Sequence, residues 1–237
     1  MEKSTKLILS NDNNTFNIME NNQVNNNAGF AEFMKNLLNR AKQLILSPQT
    51  EYQAIEKENT PHSKVLTHYV LPLMVIPVLF AFIGYGLIGV SFGGYYVNDI
   101  DLGLRYAALQ IIMLLGGIYI TTLIINALTN KFGATKSFNS AFALVAYAYT
   151  PMFLAGIFLV WSEISWLVYP LGIYGLYLLI SGLKAMMKPA EEKNNSYSAV
   201  SFIVAILIYV VLMKVSEAMI LPSAPSMPSL PSFSYPF

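Results

Sequence analysis

The first periodic pattern begins at Phe30, where Phe33, Leu37, Leu38, Ala41, Leu44 and Ile45 recur at three-and-four spacing while Lys35, Arg40, Lys42 and Gln43 fall mostly elsewhere around the turn. That spacing predicts an amphipathic helix. Ser47 then reads as a cap, Pro48 as a first helical position and Glu51 as an acid at the positive end of the dipole, which predicts a short helix from about Pro48 to Glu58. Thr60 and Pro61 end it. Five apolar stretches follow, roughly Tyr69 to Val90, Tyr106 to Leu128, Ala141 to Val160, Leu167 to Met187 and Ala199 to Leu221. Each is long enough for about 30 Å of hydrocarbon at about 1.5 Å per residue. Pro151 interrupts the third, so a neighbouring helix or a serine or threonine hydroxyl must satisfy the backbone group it frees.

The predicted fold is an all-α membrane protein, a bundle of five transmembrane helices with an amphipathic amino-terminal segment. Residues 1–29 are crowded with asparagine and lack apolar runs, which reads as a disordered tail. Leu7, Ile8 and Leu9 are too few for the roughly 7 to 15 apolar residues of a secretory signal core. Residues 30–68 form a cytoplasmic segment holding the two short helices, and 69–221 form the five-helix domain. In the tail 222–237, Pro222, Pro225, Pro228 and Pro231 match a threefold polyproline II repeat. An aromatic groove could read that repeat, or it is a plain extended end.

Composition supports the membrane reading and charge adds an orientation. Of 237 residues 55% are hydrophobic and 11% charged, against roughly 25% charged in soluble domains. A net charge of +1, thinly spread, leaves no footprint for nucleic acid. Lys57 and Lys64, Lys131 and Lys136, and Lys184, Lys188 and Lys193 share one side of five spans, while Asp99, Asp101 and Glu163 lie opposite with Arg105 as the sole basic residue. The positive-inside rule places the amino terminus in the cytoplasm and the carboxyl terminus outside. The basic side of the amphipathic helix suits anionic headgroups, at about 1 kcal/mol per lysine or arginine. A helix packed against the protein's own bundle is the other reading of the same pattern.

Candidate chemistry is sparse. Without cysteine there are no disulfides, thiolates or sulfur-ligated metals, and His62 and His68 have no acidic residue between them to complete a metal site. Phosphate-binding, metalloprotease and nucleophile-elbow motifs are missing. No catalytic residue, cofactor or metal site is therefore expected, and the chain reads as a non-enzyme. Gly84, Gly86 and Gly89 spell G-x-G-x-x-G inside a span, where glycines allow close helix approach rather than dinucleotide binding; Gly89 with Gly93 adds one G-x-x-x-G. Lys214 and Glu217 stand three apart in the fifth span and either pair as a functional site or snorkel as anchors. Asn126, Thr121, Thr122 and Thr150 beside Pro151 are expected to bond between helices as structural glue. Tyr147, Tyr149, Tyr169, Tyr174, Tyr177, Trp161 and Trp166 are expected at interfaces or stacked within the bundle. Ser47, Pro48, Glu51 and Tyr52 form the candidate interaction segment.

Five phrases in order resemble the Yip domain family, the Ypt-interacting five-helix membrane proteins, in its bacterial form. They are Leu46-Ser47-Pro48-Gln49-Thr50-Glu51-Tyr52-Gln53-Ala54-Ile55, then Tyr69-Val70-Leu71-Pro72-Leu73, then Gly133-Ala134-Thr135-Lys136-Ser137-Phe138. Ala146-Tyr147-Ala148-Tyr149-Thr150-Pro151 and Tyr177-Leu178-Leu179-Ile180-Ser181-Gly182-Leu183-Lys184, with Lys188-Pro189-Ala190-Glu191-Glu192-Lys193, complete the set. The resemblance covers about Phe30 to Ile220 and implies a cytoplasmic amino-terminal segment with five helices. Eukaryotic relatives are associated with Ypt and Rab GTPases and vesicle traffic, but the Asp-Leu-Tyr-Gly-Pro phrase of that branch is missing here, so a small GTPase partner is not carried over. A bacterial inner-membrane protein is the implied setting.

Two functions remain open from sequence. One is a non-enzymatic membrane protein that organises protein partners or lipid at the cytoplasmic face. The other is a small transporter or channel, for which a homo-oligomer is one way to build a central path.

Overall fold

The computed structural model describes residues 29–92, 95–161 and 163–220, and only the backbone of 91–97 and 217–220. Both predicted tails lie outside the described residues, apart from Gly29. Helix α1 covers residues 29–46 and helix α2 covers Pro48–Glu58. Five helices long and apolar enough to cross a membrane follow: His62–Ile88, Ile100–Phe132, Phe138–Val160, Ser165–Met187 and Glu191–Ser216, called here spans one to five. The fifth helix itself runs from Asn194 to Ile220. A two-stranded antiparallel hairpin, β1 (Val90–Phe92) with β2 (Tyr95–Val97), joins spans one and two with Ser91 opposite Tyr96.

Span one begins at His62, seven residues before the start its hydropathy suggests, with Pro61 in extended conformation as its N-cap. The sequence boundary at 68 and 69 therefore falls inside a helix. The reason is general, because apolar content marks where hydrocarbon begins while helical hydrogen bonding continues through the interface. Ser47 departs from expectation too. Its side chain makes no capping bond, and the turn is closed by main-chain contacts instead, Ser47 N–H to Gln43 O at 2.8 Å and Glu51 N–H to Ser47 O at 3.1 Å.

Close approach between spans rests on glycines. A Cβ on Gly103 would lie 2.5 Å from the Cα of Gly86, and one on Gly84 would lie 2.1 Å from the carbonyl oxygen of Leu159. Gly156 meets Pro77 in the same way, at 2.4 Å. The helix-approach reading of Gly84 and Gly86 therefore holds in this geometry. Gly89 ends the helix at φ 94°, and its expected partner Gly93 lies outside the described residues. At the opposite end, Thr135 N–H bonds Met187 O at 2.7 Å and Ala190 N–H bonds Phe132 O at 3.2 Å, tying the two lysine-bearing loops together.

Helices α1 and α2 fold back into the lysine-bearing end of this bundle. Leu37, Ala41 and Leu44 of α1, and Pro48, Tyr52 and Ile55 of α2, are buried, and Leu44 and Tyr52 are completely so. The apolar stripe of α1 is thus packed on the protein itself. Phe30, Leu38 and Leu46 stay exposed beside it.

Candidate functional site

The seat of α2 is opened by Gly182 of span four. The Tyr52 ring lies where a side chain on Gly182 would be, within 2.7 Å of a Cβ built there, and its hydroxyl donates to Leu144 O at 3.3 Å. Burial first, then the nearby hydroxyls of Tyr69 and Tyr147, raise the Tyr52 pKa well above 10. Tyr174 of span four donates to Ile45 O at 2.6 Å, which pins the end of α1.

Beside this seat lies a polar chain through spans one and three. Pro151 has no N–H for the carbonyl of Tyr147, and Thr150 supplies the missing donor from its Oγ1 at 2.6 Å. The hydroxyl of Tyr69 approaches Thr150 Oγ1 at 2.6 Å, and donates to it because the Thr150 proton is already committed. Tyr69 also packs against the Tyr147 ring, centroids 4.5 Å apart. A threonine hydroxyl thus repairs the broken third span, as the sequence required.

Arg40 caps the same cluster. Its guanidinium bonds both carboxylate oxygens of Glu58, one at 3.0 Å, approaches Glu51 at 3.4 Å and lies 5.9 Å from the centre of the Tyr147 ring. Partial burial by itself would lower the Arg40 pKa. The bond to Glu58 and the fields of Tyr147, Glu58 and Glu51 outweigh that and raise it, so Arg40 stays charged. Lys188 bonds Glu56 and ties α2 to the end of span four.

The residues singled out in the sequence are distributed unevenly. Pro48 and Tyr52 face inward and Glu51 pairs with Arg40, so this segment turns its most specific residues toward the bundle, while Ser47 is exposed. Thr150 and Pro151 sit at the centre of the polar chain. Thr122 bonds within its own helix to Ile118 O at 2.7 Å, and the side-chain oxygen of Asn126 has no partner among the described residues. Lys214 is exposed, and the side chain of Glu217 lies outside the described residues. His62 contacts Asn139 through its main-chain N–H at 3.1 Å and its ring at 2.9 Å, and His68 contacts Thr67. Among the described residues no three histidine, aspartate or glutamate side chains group for a metal. Sequence reasoning missed the roles of Arg40, Glu58, Tyr69 and Tyr197, whose hydroxyl donates to Ile125 O at 2.8 Å.

Toward the hairpin end the bundle is less filled. A cavity of about 330 Å³ opens among the outer turns of all five spans, lined by Tyr85, Tyr106, Gln110, Tyr169, Tyr209 and Ser216 with apolar neighbours. A narrower one of about 90 Å³ continues inward past Gly172, Gly175, Leu176 and Ala205 to Thr121 and Val145. Tyr149, Met152, Tyr169 and Tyr209 line both. One turn further in, Leu144, Leu183 and Tyr52 are completely buried.

A family model described as the Yip1 domain matches residues 42–213. The inner membrane protein YohC of Escherichia coli strain K12 is 29% identical over 176 residues, which cover 72% of this chain and 90% of that protein. YohC of Escherichia coli O6:H1 strain CFT073 matches over the same share at the same identity. No solved structure gives a significant match.

Proposed function

The chain belongs to the Yip1 domain family, and on that footing we propose that it is a non-enzymatic inner-membrane protein that gathers anionic lipid at the cytoplasmic face, and protein partners with it. One observation carries this reading. Helix α1 is anchored by its buried face, so the edge beside that face is held in a fixed position, and Phe30 and Leu38 are exposed there, with half-buried Met34 between them and Lys35 and Lys42 alongside. An apolar edge beside lysines is the chemistry of a helix lying at the headgroup boundary. The lysines of three inner loops sit at the same end, which supports the cytoplasmic orientation. The inner-membrane names of the relatives support the location. Among the described residues the fully buried polar side chains in the spans are the hydroxyls of Thr121, Thr122, Thr129, Thr150 and Ser201, which supports a structural rather than catalytic interior.

Transport is the second reading, and the broken third span and outer cavity motivate it. The completely buried layer of Tyr52, Leu144 and Leu183 below the cavity speaks against a through path. A homo-oligomer with a central pore would evade that objection.

The test places a photoreactive residue at Lys42 in living cells. Adducts with anionic phospholipid, lost in Leu38→Glu while the protein stays folded, support the proposal. Adducts with a single protein shift it toward a partner scaffold. Absence of either adduct sinks it, and flux through reconstituted vesicles would favour transport.

A further inference from the structure

We propose that the outer cavity is a binding site for one acyl chain of a membrane lipid, with the lipid headgroup at the mouth between spans two, four and five. The proposal stands apart from the reading of α1, since the two sites lie at opposite ends of the bundle.

Polarity along the cavity carries the argument. Toward the hairpin side its lining carries polar side chains, Gln110 of span two, Ser165 of span four and Ser216 of span five, together with the stacked pair Tyr85 and Tyr106, whose ring centres are 3.6 Å apart. Deeper in, the lining is mostly apolar, with Val145, Ala148, Leu176, Leu179, Ala205 and Ile206, and Thr121 and Tyr149 are the polar side chains among them. A lipid has that order, hydrogen-bonding groups above and hydrocarbon below. A polar solute small enough to enter would leave most of its groups unmatched in the inner part, which costs several kcal/mol for each.

Depth and width agree with one chain. From Ser165 to Leu179 along span four is about 20 Å at ~1.5 Å per residue, slightly more than one leaflet's share of the roughly 30 Å hydrocarbon core. The volume of about 330 Å³ at the wide end falls within the roughly 300–1,000 Å³ of ordinary ligand pockets. Gly172 keeps the shaft open, because a Cβ there would touch only the flexible end of Met152 at 3.9 Å. The surrounding solvent is itself hydrocarbon chains, so the candidate ligand is present at bulk concentration.

The experiment uses the full chain in vesicles of phosphatidylethanolamine and phosphatidylglycerol that contain a phospholipid with a photoreactive group on one acyl chain. Labelling is expected on the peptides bearing Met152, Tyr169 and Tyr209, and it should be saturable by unlabelled lipid. Gly172→Leu, which fills the shaft, should reduce that labelling about tenfold, equivalent to roughly 1.4 kcal/mol, and leave labelling at exposed Ile203 and Leu207 unchanged. If Gly172→Leu does not fold, saturation in the unaltered protein decides alone. The proposal is overturned if cavity labelling is unsaturable and equal to that of Ile203 and Leu207, as for surrounding lipid. It is also overturned if residues 221–237 are found crosslinked to the cavity lining in its place.

Discussion

The hydroxyl of Thr150 lies 2.6 Å from the carbonyl oxygen of Tyr147, the one acceptor that Pro151 deprives of its helical donor. Three residues thus make a self-contained repair, and Tyr69 extends it to span one at 2.6 Å. A kink that would otherwise expose a backbone group to hydrocarbon becomes the point where two spans are bonded.

Thr150→Val keeps the shape and removes the donor, leaving the Tyr147 carbonyl and the Tyr69 hydroxyl unmatched. We expect a loss of about 1–3 kcal/mol, read as a lower thermal midpoint in mild detergent. Adding Tyr69→Phe should cost less than the sum of the two changes, since the second removes a group already stranded. Strict additivity would show that the chain of hydroxyls does not act as a unit.

Glycines of the same type differ in consequence. Gly103→Ala drives a methyl into the backbone of Gly86 and should destabilise by about 1–3 kcal/mol. Gly116, in the same span, has nothing within 4 Å of an added Cβ, so Gly116→Ala should stabilise by about 0.5–1 kcal/mol through helix propensity. Equal midpoints for the two variants would refute the packing shown between spans one and two.

Tyr52 makes stability depend on alkaline pH. Folded, it holds its proton well above 10 because of burial first and its tyrosine neighbours second; unfolded, it ionises near pH 10. The contribution is complete below that value and declines as pH rises through it, because only the unfolded state sheds the proton. In Tyr52→Phe the loss of stability on raising pH past about 10 should be shallower. Unfolding midpoints followed across that window test this, and parallel curves would contradict it.

Orientation is accessible to labelling because the natural chain has no cysteine. A single cysteine replacing Lys193 should react with a membrane-impermeant reagent only after the cells are opened, and one replacing Asp101 should react in intact cells. The reverse pattern would invert the protein.

The spans and α2 were legible because their determinants are local: apolar content for the former, proline and charge placement for the latter, whose observed limits Pro48–Glu58 match the expectation. The α1 stripe was legible as amphipathic, but periodicity gives no information on whether lipid or protein covers it. Arg40 was unreadable for a related reason. Its partner Glu58 is 18 residues away across a helix corner, and no spacing rule links them. Tyr147, Tyr149 and Tyr174 make ring contacts within the bundle, in line with the stacking expected of them, whereas Tyr52, Tyr69 and Tyr197, for which no such role was read, work as hydrogen-bond donors between elements, a role set by tertiary neighbours. Asn126 differs from the expectation in one atom, since its side-chain oxygen is buried without a partner among the described residues.

The seating of Tyr52 also imposes an order of events during biosynthesis. Its acceptor at Leu144 emerges from the ribosome roughly ninety residues later, and the gap at Gly182 later still. Until span four is inserted the seat of the amino-terminal helices lacks the gap at Gly182 that takes the Tyr52 ring. The segment made first is therefore among the last to dock, and a truncated or stalled chain would carry Tyr52 and Leu44 uncovered, a natural mark for proteolytic disposal.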